Sequence, residues 1–237
     1  MSLRSHALVV LTVCIGIAGV AQADVITFRS GDGNGAAGTP DPNVTVLERP
    51  MYNQQFLTPG DFLAAQVIPA TIVETLNPYW APTLDADSDA RWISTQAHVG
   101  QTTEDMVSGL YAIKIINPSN SAVTATLDLY YMVDNYLGSR WYPGNETAMV
   151  YLNDEPIVTY VQQAANEMYR YQQELHLTGL TLTPGDNWLY INATNSGLAA
   201  GVIFSGTMTT RPVDVPEPMT MSLLAVGAVG LFLRRKR

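Results

Sequence analysis

Cysteine is all but missing from this chain. The single one, Cys14, lies inside an N-terminal apolar run, so no disulfide framework staples the rest. Cations are scarce too: 12 Lys plus Arg stand against 21 Asp plus Glu, and only Lys114 and Lys236 are lysines. Such an acidic surface repels phosphate backbones and forgoes the counterion release that drives their binding, which argues against nucleic acid as a partner. Histidine is limited to three residues, and the two beyond the N-terminal run, His98 and His176, fit no metal-ligand spacing. With no G-x-S-x-G elbow and no second cysteine, a nucleophile and its base have no local signature. Long apolar runs are absent as well. Residues 7–20 and 219–233 are the candidates, and both fall short of the roughly 20 residues a permanent membrane helix needs.

What is present is clearest at the two ends. Residues 1–23 carry one early cation, Arg4, then the apolar run, then small residues at Ala21 and Ala23. That order predicts a secretory signal peptide cleaved after Ala23. At the other end, Val215-Pro216-Glu217-Pro218 precedes the apolar residues 219–233 and then Arg234-Arg235-Lys236-Arg237. A helix over that run would reach about 22 Å of a hydrocarbon layer roughly 30 Å thick, a weak permanent anchor. Four consecutive cations would hold its end on the cytoplasmic side while the body is exported, as a transient stop signal requires. Here the chain resembles the PEP-CTERM proteins of Gram-negative bacteria, whose tail is a Pro-Glu-Pro box, a short membrane helix and an Arg-rich end. The resemblance implies a substrate of an exosortase-type membrane enzyme, reached through the secretion translocon and signal peptidase. It also implies transient anchoring by the C-terminus, a cell-surface or extracellular destination, and a place in an exopolysaccharide or biofilm matrix.

Between the ends lies a body, residues 24–214, large enough to bury roughly 70% of its unfolded surface as one domain. Without Arg4 and the four tail cations it keeps seven Lys plus Arg, and without Glu217 twenty acids, so its charge is near −13. Residues 25–28 read as a short strand, followed by a glycine-rich stretch in which Gly33 to Gly38 satisfies G-x-G-x-x-G. A dinucleotide site also needs a helix to open there, and Thr39-Pro40-Asp41-Pro42 cannot be one, so the stretch is a surface loop. Residues 44–47 alternate as a second strand. Thr58-Pro59-Gly60-Asp61 predicts a type II turn, and residues 62–68 fit a strand or a short helix equally.

From Thr71 onward the pattern is β. Runs at 109–116, 123–133, 147–152, 174–182, 188–193 and 201–210 are each bounded by Asn, Pro, Gly or Asp. Leu127, Leu129 and Tyr131 alternate with Thr126, Asp128 and Tyr130, the half-buried face of an antiparallel sheet. Short strands without a βαβ rhythm predict a β-sandwich or jelly roll, with one helical turn or more where Val161, Ala164, Ala165 and Met168 fall at helical spacing. The order Arg91-Trp92-Ile93, residues 110–115, Asp134-Asn135, Val150-Tyr151-Leu152-Asn153-Asp154 and Thr183-Pro184-Gly185-Asp186-Asn187-Trp188 is similar to galactose-binding-like jelly rolls. In those domains a Leu-Asn-Gly turn ends a central strand and a Pro-Gly-x-Asn turn starts a later one that packs against it. Asp154 stands where the Gly is usual, a change that a left-handed backbone tolerates. The expected organisation is a signal peptide at 1–23, N-terminal strands and loops at 24–70, a galactose-binding-like β-sandwich at 71–211 and the sorting signal at 212–237. The fold class is all-β, flanked by an N-terminal signal helix and a C-terminal membrane helix.

Three groups of residues could carry chemistry. Asp85, Asp87 and Asp89 place carboxylates at alternate positions, as the first half of a calcium loop does. Ala90 and Gln96 stand where an EF-hand needs Gly and Glu, which leaves a non-EF Ca2+ site or a solvated acidic loop. Tyr130, Tyr131, Tyr136, Trp141, Tyr142, Tyr151, Tyr160, Tyr169 and Tyr171 make the middle of the chain rich in the amphipathic rings that suit sugars. Its loop-like members, Tyr136, Trp141 and Tyr142 beside Asp134, Asn135 and Arg140, form the candidate ligand surface; Trp80 and Trp92 are assigned to the core. Loose acids, Glu146, Asp154, Glu155, Glu167 and Glu174, could supply a carboxylate pair, but no catalytic constellation accompanies them. The sequence thus reads as a non-catalytic, exported surface or matrix protein. The alternative is a carbohydrate-binding module, calcium-assisted, and a glycoside hydrolase is a distant third.

Overall fold

Where apolar and polar residues alternate, the chain pairs into strands. The computed structural model describes residues 23–31, 34–50, 57–96, 107–138, 147–161, 168–195, 197 and 199–212. In chain order these form β1 (Val25–Arg29), β2 (Pro40–Pro50), α1 (Pro59–Ala65), β3 (Pro69–Ile72), β4 (Ile93–Ser94), β5 (Val107–Asn117) and β6 (Val123–Asp134). There follow β7 (Tyr136–Leu137), β8 (Val150–Leu152), β9 (Glu155–Val158), β10 (Gln173–Leu182), β11 (Gly185–Thr194) and β12 (Gly201–Pro212). The sheet runs β10-β6-β12-β4-β3-β2-β5-β11-β8-β9, with β1 added to β12 and β7 to β11. The short β3 and β4 carry it round from one layer, β10, β6, β12 and β1, to the other, β2, β5, β11, β8 and β9. Residues ahead of and beyond position 70 therefore share one core, and Ala23–Arg211 is one compact unit.

The core lies between the layers. On β6, Leu127, Leu129, Tyr131 and Val133 face inward, as the alternation predicts, against Ile115, Val150, Leu189 and Ile191 from the opposite layer. Each layer also has part of its outer face covered. Over β6 and β12 fold residues 73–92, whose Trp80 and Trp92 stack at 4.1 Å and 26° and pack on Met132 and Ile203. Both tryptophans are core residues, as assigned. Gly201 is required beneath them, because a Cβ there would sit 2.6 Å from the Trp80 ring.

Over β5 and β11 lies α1, and it corrects the turn expected at 58–61. Thr58 is the N-cap: its hydroxyl accepts from the Asp61 backbone N–H at 3.4 Å, and the Asp61 carboxylate accepts from the Thr58 N–H at 2.7 Å. This capping box, with Pro59 in the first turn, starts a helix where Pro and Gly alone suggested a turn. The helix resolves the ambiguity of residues 62–68 by burying Phe62 and Ala65 against Leu110, Ala112 and Tyr190. The helical turn expected over 161–171 falls in part on residues outside the described set; Met168 to Arg170 form a turn.

The Leu-Asn-x and Pro-Gly-x-Asn turns meet as the jelly-roll resemblance implies. Asn153 donates from Nδ2 to Asn187 Oδ1 at 2.8 Å, and its own Oδ1 accepts from the Trp188 backbone N–H at 2.8 Å. Asn153 and Asp154 are both left-handed, at φ 53° and 75°. An Asp there keeps the turn at a steric cost that Gly does not bear. Asp154→Gly is therefore expected to raise stability by about 0.5–1 kcal/mol, after allowing for the greater freedom of Gly in the unfolded chain. Urea unfolding reads this as a higher midpoint at unchanged slope, and a lower midpoint would contradict it.

Candidate ligand-binding site

The second layer's outer face carries a pocket of about 360 Å³ between α1 and the β8–β9 hairpin, lined among others by Phe62, Thr147, Tyr151, Asp154, Thr159 and Tyr160. Helix α1 sets one wall. Its Phe62 meets Tyr151 edge-on at 5.1 Å and Tyr190 at 4.9 Å, so the rings hold one another in place. Tyr151 is fixed at its other end, its hydroxyl accepting from the Ala148 N–H at 2.9 Å. Burial pushes the Tyr151 phenol above its ordinary pKa, against opposing effects of that bond and of Arg49, so it stays neutral and polar at physiological pH. Arg49 on β2 is itself buried, and desolvation lowers its pKa while the charges of Asp61 and Tyr151 raise it. The result is an apolar, aromatic recess with threonine hydroxyls and one carboxylate at its wall.

The predicted ligand residues divide. Asp134 ends β6 with its side chain buried beside Trp80 and only 8% exposed, where Oδ2 accepts from the Trp80 indole N–H at 2.8 Å. Its Oδ1 accepts from Asn135 Nδ2 at 2.5 Å. Burial pushes this carboxyl up to about 6, although the bonds from Trp80 and Asn135 favour its ionised form. Half-buried Tyr136 lies on β7 opposite Thr194 of β11. Arg140, Trp141 and Tyr142 lie outside the described residues. Of the described residues, Gly138 lies against Thr147, a Cβ on Gly138 falling 2.6 Å from the Thr147 carbonyl, and Thr147 lines the pocket. Behind Thr147, Asn192 donates to the Thr147 hydroxyl and the Ala148 carbonyl, each at 3.0 Å, and its buried Oδ1 has no partner. Phe62 was missed in the sequence because its helix was only one of two readings there; the Thr58-to-Asp61 capping box is the signal that would have found it.

The acidic loop meets a cation of the chain's own. Arg29 bonds Asp87 through Nε at 3.0 Å and Asp89 through Nη1 at 3.3 Å. Asp87 also accepts from the Ser205 hydroxyl at 2.8 Å and, through Oδ1, from the Asp89 N–H at 3.0 Å. Asp85 is exposed and stands apart from this network. Among the described residues no group of three or more His, Cys, Asp or Glu gathers as a metal set. Of the loose acids, Asp154 lines the pocket, whereas Glu155 and Glu174 are exposed on β9 and β10; Glu146 and Glu167 lie outside the described residues. A larger cleft, about 740 Å³, opens beside Arg29, with Thr27, Asn43, Lys114 and Thr207 among its walls.

Residues 214–237 match the PEP-CTERM protein-sorting motif, which contains the tail residues Val215 to Pro218 and Arg234 to Arg237. The motif implies export, C-terminal anchoring through sorting, and processing by an exosortase-type membrane enzyme. The apolar run 219–233 and the N-terminal residues 1–22 lie outside the described set, in which no helix is long and apolar enough to cross a membrane. In structure the chain is similar to a family 35 carbohydrate binding module from Clostridium thermocellum, at 12% identity and a TM-score of 0.35, over 77% of this chain and 97% of that one. It is also similar to a Podospora anserina GH26-CBM35 beta-(1,4)-mannanase, at 12% identity and a TM-score of 0.30, over 81% of this chain and 29% of that one. No curated protein matches it.

Proposed function

We propose that this chain is a non-catalytic protein of the cell surface or extracellular matrix whose β-sandwich holds extracellular polysaccharide in the recess between α1 and β8–β9. The sorting motif supports the location. The observation that carries the binding role is the recess itself, where half-buried Tyr160 stands over a floor of the buried Phe62 and Tyr151, with Asp154, Thr147 and Thr159 at the wall. Pyranose rings present apolar C–H faces bordered by hydroxyls, so a recess of rings with polar groups at its wall complements them. In this reading Arg140, Trp141 and Tyr142, together with Tyr136, Asp134 and Asn135, contribute to the ligand surface. At about 360 Å³ the recess is at the small end of ligand sites and takes a short stretch of glycan.

The test is binding of the full-length chain, in detergent, to a glycan panel that includes exopolysaccharide from the producing cells, with calcium and again with chelator. Saturable binding weakened about tenfold in Trp141→Ala and in Tyr160→Ala is expected, the scale of losing one aromatic contact. Loss of binding with chelator would bring Asp85, Asp87 and Asp89 into the mechanism as calcium ligands. If no glycan binds under either condition, the pocket reading fails and a purely structural matrix component remains. Sorting is tested separately: replacing Arg234, Arg235, Lys236 and Arg237 by Ala should leave the protein unsorted at the membrane, and normal release would contradict that reading.

A further inference from the structure

We propose that the cleft beside β1 is a second glycan-binding site, one that takes an internal segment of an uncharged polysaccharide, so that a single molecule holds two chains. The inference rests on the surface-glycan reading and adds a site to it. The cleft shares none of its walls with the aromatic recess. Its sides come from β1, β12 and β5, from β2 at Pro42 and Asn43, and from Ala86 and Asp87. At about 740 Å³ it has twice the recess's volume, enough for a run of sugar residues where the recess takes a short stretch.

The edge of β1 supplies hydrogen-bonding groups that nothing in the described fold uses. The bonds from Ser30 N–H to the Phe204 carbonyl at 2.9 Å and from Thr210 N–H to the Asp24 carbonyl at 2.8 Å fix the ladder between β1 and β12. In that register the even-numbered residues of β1 address β12, and the backbone groups of Val25, Thr27 and Arg29 point the other way. Among the described residues no strand pairs with that edge. The Thr27 and Thr207 hydroxyls and the Asn43 side-chain amide are likewise without protein partners there.

Charge selects the class of polymer. Both cations in the cleft are already answered, Arg29 by Asp87 and Asp89, and Lys114 by Asp186 at 2.6 Å. A polyanion would have to displace these carboxylates and approach a body near −13, whereas a neutral polymer needs only the free hydroxyl, amide and backbone groups. The two carboxylates also hold the Arg29 guanidinium still, leaving Nη2 as a fixed donor. Ordering that donor beforehand lowers the entropy lost on binding.

Two sites that share no residue make the molecule bivalent, and bivalency is read as avidity for long chains that short ones cannot show. The full-length chain in detergent is titrated with soluble mannan and β-glucan, with their short oligosaccharides, and with polygalacturonate as the charged counterpart. Wild type is expected to cross-link a neutral polymer, seen as turbidity or increased viscosity. The N43A/T207A pair, and separately Thr27→Trp, which fills the cleft, should abolish cross-linking and weaken polymer binding at least tenfold while leaving oligosaccharide binding unchanged. Tyr160→Ala reports on the recess: if no oligosaccharide binds but polymer binding still depends on Asn43 and Thr207, the recess reading fails and the cleft stands. Cross-linking that persists in both cleft variants overturns the second site. So does a preference for polygalacturonate, or capture of an extended peptide in place of any polymer, which would make the β1 edge a strand-docking site.

Discussion

Asn187→Ala is expected to destabilise the sandwich by about 3–5 kcal/mol, a large share of the 5–15 kcal/mol that typically holds a domain together. Asn187 is fully buried at the start of β11, and its amide is used on every side. Its Oδ1 accepts from the Thr183 backbone N–H at 2.9 Å, the Thr183 hydroxyl at 3.1 Å and Asn153 Nδ2 at 2.8 Å. Its Nδ2 donates to the Thr183 carbonyl at 2.8 Å and the Gly185 carbonyl at 3.1 Å. Truncation leaves these partners unpaired at a part-buried corner, which adds a desolvation cost to the loss of the bonds themselves. Asn117 joins the same corner from β5, donating to the Leu182 carbonyl at 3.2 Å and the Thr183 carbonyl at 3.1 Å. Because Asn153 and Asn187 share one bond and one turn, the double Ala variant should lose less than the sum of the two single losses. Equilibrium denaturation of the three variants checks both claims, and a loss below about 1 kcal/mol for Asn187→Ala would remove this corner from the account of stability.

That corner was legible before any coordinates, because both turns are local and their residue types name their backbone shapes. The long strands were legible for a related reason: β6 alternates from Val123 to Tyr131, and only its last residues are buried on both faces. The short strands were not. β4 and β7 are two residues each, too few for a period, and β4 is defined by the strands it lies between, β3 and β12. Helix α1 was partly legible: Pro59 and Gly60 suggest a turn and residues 62–68 fit a strand or a short helix equally, and the pairing of Thr58 with Asp61 decides for the helix. The candidate site was half legible. Tyr151 and Tyr160 stood among the aromatics, but which rings line a recess depends on Phe62 arriving from residues far earlier in the chain. Asp85, Asp87 and Asp89 looked like cation ligands, and two of them do hold a cation, the Arg29 guanidinium contributed by β1. Sequence spacing showed the carboxylates and not the partner.

Asp134 makes the domain's stability depend on pH between about 6 and 4. Its carboxyl is pushed up to about 6 from an ordinary 3.8 because burial penalises the charge, and the indole of Trp80 and the amide of Asn135 only partly offset that. The sign follows from proton linkage. Above pH 6 Asp134 is ionised in both states, and the folded state carries the whole cost of a buried charge. As the pH falls from 6 towards 3.8 the folded protein takes up the proton first, so this residue's contribution rises. Below 3.8 both states are protonated and the gain is complete. About two pKa units correspond to an upper bound near 3 kcal/mol. Other acids titrate in the same window, so the quantity to measure is the stability of wild type minus that of Asp134→Asn, from urea unfolding at several pH values. That difference should rise by about 2–3 kcal/mol from pH 7 to pH 4, since the amide keeps an oxygen for Trp80 and has nothing to titrate. Trp80→Phe removes a donor that favours the ionised form, which should move the rise to higher pH. A difference that stays level from pH 7 to 4 would mean that the ionised carboxylate costs the folded state nothing where it sits.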